Sequence, residues 1–164
     1  MTETALASTT AESTTAEVES PDPFRGDHGA TCRIALRLDH ADRASRRARA
    51  TINDFYDGRL APTRLADLLL LVSELVTNAM EHGARGLVTL DVALADDHVT
   101  VTVTSPGEPW MVGAPSSWRL PAADRRSGRG LALTAQLSRT VNVFSGVGDA
   151  GGPDWIAISA EISR

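Results

Sequence analysis

Residues 62–83, PTRLADLLLLVSELVTNAMEHG, constrain this chain more than any other stretch. A proline opens the segment, where a missing N–H costs a helix nothing, and a glycine follows its last turn. At about 100° per residue from Glu74, Leu65, Leu68, Leu69, Val72, Leu75, Val76, Ala79 and Met80 share one broad apolar sector. A helix with so wide a stripe must be laid against a sheet or against other helices. Opposite that stripe, Asp67, Glu74, Asn78 and Glu81 fall within about 60° of one another, flanked by Leu70 and Leu71. A solvated strip would fit the period equally well. Leucines at both its edges argue the other way, as does an asparagine, whose side chain competes for backbone hydrogen bonds inside a helix. A carboxylate and an amide oxygen one turn apart can jointly face a hydrated Mg2+, which keeps most of its waters and takes few protein oxygens.

The rest of the chain supplies the partners for that helix. In TCRIALRLD, Ile34, Leu36 and Leu38 alternate with Arg33, Ala35 and Arg37, the pattern of a half-buried strand. A first helix follows to Tyr56, capped by Asp39 or Asp42, with Ala41, Ala44, Ala48, Ile52 and Phe55 inward and Gly58 beyond its end. GLVTLDVAL and HVTVTVTS read as strands joined by a two-residue turn at Asp96-Asp97. GRGLALTAQLS is a short helix, and RTVNVFSG and DWIAISAEIS form a final hairpin. The order β-α-α-β-β-α-β-β predicts an α+β two-layer sandwich: a mixed, mostly antiparallel sheet of about five strands with helices on one face. Residues 1–30, rich in Ser, Thr, Ala and Glu at their start, cannot supply a core and are expected to be a disordered tail, leaving residues 31–164 as the domain.

Charge and composition exclude several chemistries. The net charge is −5 with a pI near 5.3, and the arginine cluster at Arg43, Arg46, Arg47 and Arg49 is local, so direct nucleic-acid binding is not expected. There is no lysine, which removes a P-loop lysine and Schiff-base chemistry. One cysteine, Cys32, allows no internal disulfide. The four histidines form no HxxxH or HxH pair, so no metal site built on protein ligands alone is expected. No apolar run reaches the roughly 18 residues of a membrane span, and residues 1–24 lack the basic start of a signal peptide. The expected compartment is the cytoplasm.

Any phosphate must therefore be held by arginine, backbone amides or a metal. Gly128-Arg129-Gly130 opens the short helix, where backbone N–H groups and the helix dipole favour an anion. Arg125 and Arg126 lie in the same window. A lone GxG is more often a turn or cap; its weight comes from its place after the acidic helix, the strand pair and the proline-rich connection at residues 106–127.

In that order, ELVTNAMEHG at 74–83 resembles the N-box of the GHKL ATPase superfamily (gyrase, heat-shock chaperone, histidine kinase, MutL), and GRGLALTAQLS at 128–138 resembles its second glycine box, with the preceding loop as an ATP lid. The short length and element order are most similar to the anti-sigma-factor serine/threonine kinases, over about residues 31–163. The resemblance implies ATP and Mg2+ as cofactors. It places Asn78 on the metal, Glu74 as the group that orients or deprotonates an attacking hydroxyl, and Gly128, Arg129, Gly130 and Leu131 at the phosphates. It implies a sigma factor and an anti-sigma-factor antagonist as protein partners, with homodimerisation possible. The first-helix arginines, Trp110 and Trp118 are candidate docking residues.

Two departures stand out. Where the family carries Asp-x-Gly to read the adenine amino group, this chain has Ser105-Pro106-Gly107, a change expected to weaken ATP by about tenfold or more. Where the last hairpin usually carries Gly-x-Thr, it has Gly152-Pro153-Asp154-Trp155, so Asp154 is a candidate replacement carboxylate. The alternative to a kinase is a binding module of the same fold that regulates a partner by docking.

Overall fold

The computed structural model describes residues 32–39, 43–108, 112–119, 129–148 and 154–164. The expected tail, Trp110 and Gly128 lie outside the described residues. The elements run β1 (Cys32–Leu38), α1 (Ala44–Tyr56), α2 (Pro62–His82), β2 (Val88–Leu94), β3 (His98–Pro106), α3 (Gly130–Leu137), β4 (Thr140–Gly146) and β5 (Trp155–Ser163). They build the α+β two-layer sandwich that the alternating patterns require.

The five-stranded sheet has the order β1-β2-β3-β5-β4, with antiparallel pairing throughout. In β3, Val99, Val101, Val103 and Ser105 turn inward, alternating with half-buried residues on the other face. Ala95 N donates to His98 O (2.9 Å) and closes the Asp96-Asp97 turn. The Asp97 carboxylate pairs with His98 Nδ1 at 2.6 Å and accepts from Arg139 at 3.2 Å. These bonds, that to His98 first, hold its pKa below the ordinary carboxylate value.

One core lies between the sheet and the helices. Leu68, Val72 and Val76 of α2, Ile52 of α1, and Leu90, Val92 and Val101 of the sheet are all fully excluded from solvent. Each such side chain contributes about 1.5–3 kcal/mol by leaving water. Among the described residues no helix is long and apolar enough to cross a membrane.

The first helix departs from its expected limits. It begins after Arg43, which stands at the cap position with no side-chain cap bond; Asp39 is not the cap, and Asp42 lies outside the described residues. The fully buried aromatic is Tyr56, whereas the neighbouring Phe55 is only half-buried. Its hydroxyl donates to Val92 O at 2.8 Å, which meets the hydrogen-bonding need of a buried phenol. Burial raises the Tyr56 pKa far above the ordinary phenol value.

Candidate functional site

The polar strip of α2 is covered on one side. Leu71 at one edge of the strip is fully buried and Leu70 at the other is 40% exposed. α3 packs against α2, and Glu74 lies against the first residue of α3. A Cβ added to Gly130 would lie 2.6 Å from Glu74 Oε2, closer than a real side chain can come. The absent side chain at Gly130 therefore gives the Glu74 carboxylate its place against the first turn of α3. Arg129 precedes that turn in helical conformation, and its carbonyl accepts from Leu133 N at 2.8 Å. Leu131 is half-buried and packs against the core.

One turn further along α2, Asn78 faces a different space. A shallow, partly open cleft lies between the C-terminal half of α2 and the ends of β3 and β5. Leu75 and Ala79 form its helical wall, and Val103, Ile156 and Ile158 form its floor. Its polar side chains are Asn78, His82 and Ser105. Ser105 is 9% exposed, and its hydroxyl finds no hydrogen-bond partner among the described residues. A hydroxyl not committed to a protein partner, in a largely apolar cleft, is a group that a ligand can engage.

The floor is fixed by backbone bonds at the end of β3. Ala84 N, just past α2, donates to Pro106 O at 2.9 Å. On the other side Gly107 N donates to Asp154 O at 2.8 Å. Gly107 takes φ +153°, a conformation that side chains rarely adopt, which gives a backbone reason for a glycine two residues beyond Ser105. Asp154 stands opposite Gly107, two residues past the Ser105–Ile156 pair and so on the same face by alternation. It is not among the residues lining the cleft.

The roof comes from residues 112–119. Val112 lines the cleft, and Trp118 Nε1 donates to Val112 O at 2.9 Å. Trp118 is 9% exposed and belongs to the core. It anchors this segment from below, which corrects the expectation that it offers a docking surface.

The structure thus places Glu74 and Gly130 together at one end, and Asn78 with Ser105 around the cleft at the other. His82 and Val112 are site residues that sequence reasoning missed. His82 lies four residues after Asn78, and that spacing alone puts it on the same helix face. Val112 carried no comparable signal, because its loop has no period. Among the described residues no group of three or more His, Cys, Asp or Glu is placed to hold a metal.

Comparison with known proteins adds the family. No curated protein matches the sequence. The family model of the histidine kinase-like ATPase domain matches residues 35–152, a span that takes in α2, the cleft floor on β3, the roof segment and α3. All the residues that line the cleft beside α2, apart from Ile156 and Ile158, lie within the matched span, and the chain belongs to the histidine kinase-like ATPase domain family, whose members bind ATP.

Proposed function

We propose that this protein is a Mg-ATP-dependent serine/threonine kinase of the anti-sigma-factor type, which sequesters a sigma factor and phosphorylates a serine of its antagonist. The observation that carries the reading is the Glu74 carboxylate held against Gly130 at the first turn of α3. In this reading the cleft takes the base, with Ser105 in its wall and Gly107 and Asp154 beyond it. Arg129, Gly130 and Leu131, together with Gly128, hold the phosphates by backbone N–H groups and guanidinium charge.

The residue types suit a magnesium nucleotide: the Asn78 amide oxygen lies at the cleft and the Glu74 carboxylate one turn earlier, against α3, and each can offer an oxygen to a hydrated cation. When bound, Mg-ATP supplies the transferable phosphoryl group and neutralises its charge. Asn78 offers one neutral oxygen to the cation. Glu74 orients the partner's serine hydroxyl and accepts its proton at Oε2. The rest of the catalysis is positioning, which a rigid helix face supplies.

Radiolabelled ATP and candidate antagonist domains test this. Transfer of label to a serine, abolished by Glu74→Ala, is the expected result. No transfer, with sigma-factor binding intact, would establish the docking module instead, the reading that the uncharged Ser105 favours.

A further inference from the structure

The polar groups of the cleft share a property that bears on which base it accepts. A purine presents at position 6 either an amino group, which donates, or an oxo group, which accepts. A site selects between them when its buried partner has a fixed polarity, because the wrong base then leaves a group unpaired. A carboxylate is such a partner, being an acceptor only.

Among the described residues no carboxylate lines this cleft. Its three polar side chains among the described residues are a serine hydroxyl, a histidine imidazole and an asparagine amide. In the proposed reading Asn78 is committed to the cation, and each of the other two can donate or accept: the hydroxyl by rotating, the neutral imidazole by changing tautomer. Ser105 is the most buried of the three at 9% exposed and has no partner among the described residues to fix its rotor. His82 stands at the mouth with 62% of its side chain exposed, where water can replace any bond it fails to make. The remaining surface is aliphatic and grips a ring face without regard to its substituents.

We infer that the cleft accepts 6-oxo purine nucleoside triphosphates as well as 6-amino ones, with Ser105 as the residue that sets this tolerance. The inference rests on the proposed reading of the cleft as the nucleotide-base site. The hydroxyl accepts from the amino group of one class and donates to the oxo group of the other. Inosine triphosphate is the sharper probe, since guanine adds a 2-amino group that tests space as well as polarity.

Calorimetry with ATP and inosine triphosphate in Mg2+ is the experiment, using the full chain, with circular dichroism to confirm folding. The expected result is two Kd values within about threefold of one another. Ser105→Ala should weaken both equally. Ser105→Asp should favour ATP by tenfold or more, because a fixed acceptor repels an oxo group. ATP preferred by tenfold or more in the unaltered protein overturns the inference. If Asp154→Ala then removes that preference, Asp154 and not Ser105 is the base reader. Binding of neither nucleotide instead removes the nucleotide-site reading on which the inference stands. Should Ser105→Asp fail to fold, the paired Kd values of the unaltered protein and of Ser105→Ala decide alone.

Discussion

Replacing Gly130 by alanine separates the position of Glu74 from the stability of the fold. The new Cβ would stand 2.6 Å from Glu74 Oε2, while Glu74 Cβ and Cδ remain at 3.6 and 3.7 Å. The only severe overlap is therefore with the tip of a flexible side chain. Restoring ordinary contact needs a shift of about 0.5–1 Å, and the carboxylate can supply it by rotating before the two helices part. An off-rotamer glutamate costs about 0.5–1.5 kcal/mol. Alanine returns up to about 1 kcal/mol of helix propensity relative to glycine, so net stability should change by less than about 1 kcal/mol. A catalytic group displaced by about 1 Å can lose on the order of 100-fold in rate. Gly130→Ala should thus unfold at nearly the same denaturant midpoint, yet transfer labelled phosphate about 100-fold more slowly. In the Glu74→Ala background the same substitution should stabilise the protein slightly, since nothing remains to collide. Transfer at the original rate by Gly130→Ala would refute the claim that the carboxylate acts from beside α3. A loss of several kcal/mol would show that it is not free to move.

Three further outcomes follow from other contacts. Tyr56→Phe removes the donor to Val92 O and should cost about 1–2 kcal/mol in chemical denaturation without altering nucleotide affinity. Because the folded state raises the Tyr56 pKa above its unfolded value near 10, its contribution is complete below about pH 10 and is lost as the pH climbs towards the folded value. Denaturation at pH 9 and pH 11 should show that loss in the unaltered protein and a smaller one in Tyr56→Phe. Gly146→Ala would drive a Cβ to 2.4 Å from the Trp155 ring and should cost about 1–3 kcal/mol, read as a lowered Tm. Trp118→Ala removes the buried anchor of the roof at a cost of about 3 kcal/mol; limited proteolysis should then cut within residues 112–119, and nucleotide should bind more weakly.

Much of this architecture is legible in the sequence because short-range periodicity dictates it. Val99, Val101 and Val103 alternate and are buried, and Asp96-Asp97 is the turn that closes β2 onto β3. The long helix keeps its predicted bounds from the proline to the glycine, although Gly83 ends it in an extended conformation instead of a left-handed one. What the sequence hides is pairing across distance. The final hairpin could have been added at the outer edge, yet β5 enters between β3 and β4. That insertion makes Ile156 a neighbour of Ser105 and brings Ile158 into the cleft. The inward turn of Trp118 escaped for a related reason: in a loop without a period, only tertiary packing decides which aromatic is buried. The start of α1 escaped because an acidic residue was available as a cap but Arg43 occupies the position.

The interior place of β5 has a consequence for how a ribosome delivers this protein. The strand that completes the cleft floor is translated well after the one beside it, with Ser105 and Ile156 separated by roughly 50 residues of synthesis, or about 3–10 s at 5–20 residues per second. During that interval the nascent chain carries β3 with one edge unpaired and its row of inward valines only partly covered. Such an intermediate is the form that chaperones shelter and that sticks to other unfinished chains. Capture of a ligand by the cleft is therefore a late event in the life of the polypeptide, and it is reserved for molecules whose residues 155–163 have already left the exit tunnel.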